Sequence, residues 1–525
     1  MHKELPQTAL QATHNGLIFD WSYQFLTLEQ LTEFAEKRLP EGFDVARQQL
    51  LSGTYKNVSE KRDVSHVLSR SRHSVLTQGD QSKFAQITRK LRSGKWLGAT
   101  GKPITDIVNI GVGGSDLGPL MASFALKEFA TDINLHHVDT HFVSSMDGGQ
   151  LYAVLPIVSP ETTVFIVTSK SFGTIDTFAN VNTVKVWAEE GLAPFGKNLN
   201  DWMEHHVIGV SANTKRMTEY GIPPAHQLTF PESIGGRFSM WSAIGLAVAT
   251  SCGVQVFERM LEGAKAMDDH FAHAPLLENI PMLMALIGLY NREERGINNL
   301  AILPYDGRFR HLPSYLQQLD MESNGKQYTA SGEAIDYPTG PIIWGGFGPN
   351  GQHAFFQHLH QGYDTFTADF ICVLHRYTGK FSDTVRRSLS EQQELSVANC
   401  LAHRRLMAVG QQSDNPAEHY PGGHPTSLLA LKELTPESFG AIVAAYEHKV
   451  FTQGVVWGLN SFDQPGVELG KKIAEATFAA VVDSGAGSAA QFDASTDSLI
   501  AWVHAPKEHA PKETEPKESS PKVNP

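Results

Sequence analysis

Thr163-Val-Phe-Ile-Val-Thr-Ser-Lys-Ser-Phe-Gly-Thr174 joins an unbroken apolar, β-branched run to a loop of hydroxyls around one lysine. Such a run reads as a parallel strand buried on both faces. Open α/β sheets bind ligands at the C-terminal ends of these strands. Ser169, Lys170, Ser171 and Thr174 can converge there on an anion, with backbone N–H groups of the next helix behind them. A plain helix N-cap would need one hydroxyl. Four polar residues, one of them cationic, favour a phosphate cradle.

The flanking chain alternates in the same way. Ile107–Ile110, His141–Ser144, Val164–Val167 and Val207–Val210 read as strands, and Leu120–Phe129 and Thr177–Glu190 as helices. This βαβ rhythm implies a parallel sheet. A second, less regular set follows, with strands at Leu300–Leu303, Ile342–Trp344 and Phe370–Leu374. Met282–Gly296 and Gly351–His360 read as its helices. Residues 1–95 read as mainly helical, led by apolar spacing from Leu26 to Glu36. The expected division is therefore a helical region 1–95 packing on the second domain, α/β domains 96–254 and 255–483, and a terminal segment 484–525. That segment opens with a Gly/Ser/Ala joint at Ser484 and ends in a Pro/Lys/Glu tail too poor in apolar residues to order itself.

Composition narrows the function. The chain has 525 residues and a formal net charge of −13, with no basic run for a nucleic-acid face. No stretch of about 18 apolar residues suggests a membrane span, and Met1–Gln7 shows no secretory core. Three widely spaced cysteines, Cys252, Cys372 and Cys400, make neither a disulfide framework nor a zinc knuckle. A reduced, cytoplasmic setting is expected.

Further motifs carry chemistry. Gly111-Val-Gly-Gly-Ser-Asp-Leu-Gly118 follows a strand, but a dinucleotide fingerprint needs glycine where Asp116 stands. Its glycines instead let backbone approach a small substrate, with Ser115 at the edge. Ile234-Gly-Gly-Arg-Phe-Ser239 can bend sharply and aim Arg237 into a cleft, or be a surface turn. In Gln317-Gln-Leu-Asp-Met-Glu-Ser-Asn-Gly-Lys326, Glu322 is a carboxylate at an element end; surface solvation is the plain alternative. Gly351-Gln-His-Ala-Phe-Phe-Gln-His-Leu-His360 offers an acid/base histidine at a helix start. His353 and His358 are spaced poorly for a metal. In Asn460–Lys471, a helix expected near Val467 places Lys471 one turn in, where Gln464 and Lys471 could face one site.

Together, Gly113–Pro119, Ser169–Thr174, Gly235–Ser239, Asp320–Lys326, Gly351–His353 and Asn460–Lys471 resemble the glucose-6-phosphate isomerase (phosphoglucose isomerase) family, in the family's order. The resemblance implies an α/β fold of two sugar-isomerase (SIS-type) αβα sandwich domains with parallel-rich sheets, to which the residue pattern adds a helical N-terminal region and a disordered C-terminal tail that has no counterpart in the family. It implies a cytoplasmic homodimer in which His353 serves the partner's site. The implied reaction is the glycolytic and gluconeogenic interconversion of glucose 6-phosphate and fructose 6-phosphate through a cis-enediol, with no metal or organic cofactor. His353 and Lys471 would open the sugar ring, Glu322 would carry the proton between C2 and C1, and Arg237 would stabilise the enediolate. Ser169, Lys170, Ser171 and Thr174 would hold the phosphate. Gly114, Ser115, Gly236, Gln318 and Gln464 would line the rest. Gly173 and Ile175 stand where many of the family have Thr and Gln, and Asp176 where many have Glu. A phosphosugar sensor on the same fold would lack the base or the histidine. An amino-sugar phosphate isomerase, or a form also using mannose 6-phosphate, stays open.

Overall fold

The computed structural model describes residues 8–71, 73–130, 136–376, 379, 381–482 and 492–505. The chain divides into two units, Met1–Asp463 and Gln464–Pro525.

The first unit opens with an antiparallel hairpin, β1 (Gln11–His14) and β2 (Leu17–Tyr23). Asn15 and Gly16 turn it, both at positive φ, the backbone that a two-residue Asn-Gly turn requires. A small ladder follows, β3 (Tyr55–Asn57) with β4 (Arg62–Val64). Next come β5 (Asp106–Ile110), β6 (Asp139–Val143), β7 (Thr163–Thr168), β8 (Val207–Ser211) and β9 (Gln227–Thr229). They pair in parallel in the order β6-β5-β7-β8-β9. The chain steps from β5 outward to β6 and then back past β5 to β7. The crevice beyond the ends of β5 and β7 is thus a topological switch point.

The second sheet holds β10 (Asn299–Pro304), β11 (Ile342–Gly345), β12 (Thr367–His375) and β13 (Thr426–Glu433), mutually parallel. The N-terminal hairpin completes it, β2 lying antiparallel to β13, in the order β1-β2-β13-β12-β10-β11.

Side chains alternate across each sheet with period two. Ile107, Val164 and Ile166 join Ile302, Ile371 and Val373 in one large core. Val108, Phe165 and Val167 turn to a second cluster, with Val181 and Val184 of helix 175–192. Ala301, Leu303, Phe370 and Cys372 turn to a third, with Cys400 and Met407 of helix 383–409. Both sheets are therefore covered on both faces, as parallel sheets must be. Helices 254–273 and 436–456 cross the large core in backbone contact at Gly263 and Gly440, where any Cβ would overlap the other helix's main chain.

Two expectations need correction, and one needs an addition. Helices 28–38, 43–52 and 83–92 run through the N-terminal region, which also supplies two strands to the second sheet. The helix after Gly113–Ser115 starts at Leu117, not Leu120, and ends at Leu126 before a 3-10 turn. Gly351–His360 is two short helices, 348–352 and 356–361, so His353 caps the end of one and does not start another. The break follows from Gly351, against which the Phe355 ring folds back. The joint at Ser484 and the tail from residue 506 lie outside the described residues.

The second unit contains a 3-10 turn, Pro465–Val467, and helices 468–482 and 494–504. His504 Nε2 lies 3.0 Å from the Ala480 carbonyl.

Candidate active site

The loops after β5 and β7 meet because their strands pair in register, Ile110 opposite Val167. Asn109 ties them together. Its amide nitrogen donates to the Ser115 carbonyl at 3.1 Å, and its oxygen accepts from Thr168 Oγ1 at 3.1 Å. A polar residue inside an apolar strand must find partners of this kind, and the lone Asn109 in Ile107-Val-Asn-Ile110 is the sequence signal for it.

In the Ser169–Thr174 loop, Phe172 adopts φ 50° and its N–H donates to the Ser169 carbonyl. This turn lets the Phe172 ring pack below the loop against Phe178 and Tyr220. Thr174 is the N-cap of helix 175–192 but makes no side-chain capping bond; its hydroxyl lies 2.9 Å from Ser169 Oγ. Thr174 therefore does not cap its helix through its hydroxyl. Burial is the main cause that lowers Lys170 to a pKa of about 7. Arg62 on β4 and Arg237 lower it too, while Glu232 opposes them. Over the loop, Arg216 Nη1 donates to the Ser171 carbonyl at 3.2 Å and fills the space that a Cβ on Gly173 would enter. The glycine there makes room for a cation beside the loop.

Gly236 and Arg237 belong to a 3-10 segment, 236–241, that lies against Gly114 so closely that a Cβ on Gly114 would overlap the Gly236 main chain. Gln318 Nε2 stands 2.9 Å from where a Cβ on Gly113 would be. Gly114, Gly236 and Gln318 are thus gathered at one place, with Ser115 in the same turn. Asp116, just behind, is buried, and burial raises its pKa to about 6.

Arg237 is not a surface arginine. Its side chain is 2% exposed. Nε donates to Ser323 Oγ at 2.7 Å, and Nη2 donates to the carbonyls of Ser461 and Asp463 at 2.7 and 3.1 Å. Nη1 lies 3.1 Å from Glu322 Oε2. Burial lowers its pKa, and Glu322 acts against that; a guanidinium stays charged all the same. Glu322 ends a π-helical turn, 317–322, that follows helix 312–316. Such wide turns re-aim side chains and recur at functional sites. Lys326 holds Asp463 (Nζ to Oδ1 2.7 Å), and Asn324 Oδ1 accepts from Ser461 Oγ at 2.7 Å. The segment 460–463 is thereby fixed around the guanidinium. Ser461 and Asp463 act through main-chain carbonyls, which leave no mark in sequence.

His353 stands outside this bonded group, exposed at the end of helix 348–352. Gln464 and Lys471 belong to the second unit. Gln464 precedes the 3-10 turn, and Lys471, 62% exposed, pairs with Glu468 at 2.8 Å. Among the described residues, no group of three or more His, Cys, Asp or Glu is arranged to hold a metal ion.

The sequence matches the family model described as phosphoglucose isomerase over residues 20–500. A glucose-6-phosphate isomerase of Idiomarina loihiensis is 67% identical over 486 residues, 92% of this chain and 98% of that protein. One from Psychrobacter cryohalolentis is 44% identical over 514 residues, 93% and 90% of the two chains. The crystal structure of a glucose-6-phosphate isomerase from Chlamydia trachomatis superposes with a TM-score of 0.78 at 28% identity, covering 94% of this chain and 92% of that one. With its two parallel-rich α/β sheets, the chain belongs to the phosphoglucose isomerase family.

Proposed function

We propose that this chain interconverts glucose 6-phosphate and fructose 6-phosphate, with Glu322 as the base. The carrying observation is the Glu322–Arg237 pair, 3.1 Å apart, on the same crevice as the Ser169–Thr174 loop. Ser169, Lys170, Ser171 and Thr174 bind the phosphate, and that binding energy orients carbons at the other end of the sugar. Arg216 adds a charge at the cradle. His353 and Lys471 move the proton that opens the ring. Glu322 then removes the proton from C2 and returns it to C1, while the enediolate oxygen gains charge beside Arg237. Gly114, Ser115, Gly236, Gln318 and Gln464 shape the sugar site.

The enzyme works as a homodimer in which His353, exposed here, reaches the partner's site; the boundaries 96–254 and 255–483 delimit its two sugar-isomerase domains. No described helix is long and apolar enough to cross a membrane, and a cytoplasmic setting is part of this reading.

Glu322→Gln keeps the shape and removes the base. Phosphosugar binding should stay within about twofold while turnover falls by at least about a hundredfold. Near-normal turnover would assign the base elsewhere. Parallel assays with glucose 6-phosphate and mannose 6-phosphate set the C2 specificity.

A further inference from the structure

Gln352 is the last residue of helix 348–352 and directly precedes His353. Its side-chain nitrogen lies 3.2 Å from Asn399 Oδ1 and 2.6 Å from His403 Nε2, both on helix 383–409. His403 Nδ1 in turn lies 3.0 Å from His360 Nε2, on helix 356–361.

The direction of every bond in this chain follows from one backbone carbonyl. Asn399 Nδ2 donates to the Leu395 carbonyl at 2.8 Å, and a carbonyl can only accept. Asn399 therefore turns its oxygen to Gln352, and Gln352 must present its amide NH2. One hydrogen goes to Asn399 and the other to His403. His403 Nε2 is then an acceptor without a proton, so its proton sits on Nδ1 and is donated to His360 Nε2. Both rings are neutral in this arrangement. A proton added at His403 Nε2 faces the Gln352 amide hydrogens, and one added at His360 Nε2 faces the His403 N–H.

The surroundings favour the neutral state. His360 is buried against the rings of Phe356 and Tyr420. Burial, then His403 and His424, lower it to a pKa of about 4. Burial lowers His403 as well. The titratable groups around the pair are Tyr420 and His424 from the segment before β13, and the two histidines themselves.

We propose that the chain Asn399–Gln352–His403–His360 is a positioning device for His353, locking helix 348–352 onto helix 383–409 while both rings are neutral and releasing it on protonation. This rests on the reading of His353 as the ring-opening group. Gln352, His403 and His360 are positioning residues: they act through the placement of His353.

The test is steady-state kinetics from acid to neutral pH on full-length variants checked by circular dichroism. Gln352→Met and His403→Phe should each lower kcat by about tenfold, since misplacing a reacting group by a fraction of an ångström costs rate. Their KM should stay within about twofold, because the phosphate cradle is untouched. His403→Gln, whose oxygen still accepts from Gln352 and does not titrate, should restore kcat and keep activity to lower pH than the unmodified chain. If His403→Phe does not fold, Gln352→Met carries the test alone. Unchanged kcat in Gln352→Met at every pH overturns the proposal, as does failure of His403→Gln to restore activity. His353→Ala separates the two readings. If it loses turnover while Gln352→Met and His403→Phe do not, only the positioning chain fails; if it keeps full turnover, the role of His353 fails with it.

Discussion

At Lys170 the charge of the Ser169–Thr174 loop depends on pH inside the ordinary working range. The group is lowered from 10.5 to about 7, first by burial and then by Arg62, with Arg237 adding to it. Without an anion the ammonium is therefore present below about 7 and lost as pH rises. A bound dianion favours the charged form and raises the pKa again, so binding above pH 7 takes up a proton. Sulfate, which does not titrate here, should bind more weakly as pH rises above about 7, by at most about tenfold per unit. Calorimetry at pH 8 in two buffers of different ionisation enthalpy should show proton uptake, and Lys170→Met should abolish it. Zero uptake in the unmodified chain would mean that another group anchors the anion. Ser169–Thr174, Arg237 and Glu322 could be singled out as candidates from sequence because unusual residue types stand beside glycines or at strand ends. Arg62 could not: it is an ordinary strand arginine until folding brings it near Lys170. Arg216 was also silent, since only the missing side chain at Gly173 gives it room.

The π-helical turn 317–322 decides where Glu322 points. Each residue of a helix advances the side chain by about 100°. Deleting the exposed Gln317 removes the extra residue of the wide turn and rotates Glu322 away from Arg237. Turnover should fall by at least about a hundredfold, with little change in far-ultraviolet circular dichroism; retained activity would show that the turn's register is irrelevant. The strands bracketing the site were legible because continuous β-branched runs have few other uses. The N-terminal hairpin was legible too, in the Asn15-Gly16 pair, but the helical spacing that follows from Leu26 masked it. The two-helix break at His353 was not, since the periodicity of Gly351–His360 suits a single helix and only the stacking of Phe355 on Gly351 interrupts it.

Across the first unit, distant segments are joined by buried charge. Arg70 pairs with both Asp268 and Glu447, and His448 Nε2 lies 2.8 Å from Asp268 Oδ1. Trp241 Nε1 donates to Glu447 at 2.9 Å, and Tyr315 OH lies 3.2 Å from the Arg237 carbonyl. The network ties the N-terminal region, helices 254–273 and 436–456, and the segment bearing Arg237 into one body. Removing one member leaves a buried charge with too few partners, so Glu447→Ala should cost about 3–5 kcal/mol in urea denaturation. A loss below about 1 kcal/mol would mean that the network specifies geometry and not stability. The sequence by itself determined the α/β class, the family and which residue types stand in the candidate site, because apolar periodicity and short polar motifs are local properties of the chain. Which loops adjoin, why Thr174 bonds Ser169 and does not cap its helix, and how Arg237 is held by main-chain carbonyls were decided only by tertiary structure. Those features depend on groups hundreds of residues apart, and on backbone atoms that every residue carries alike.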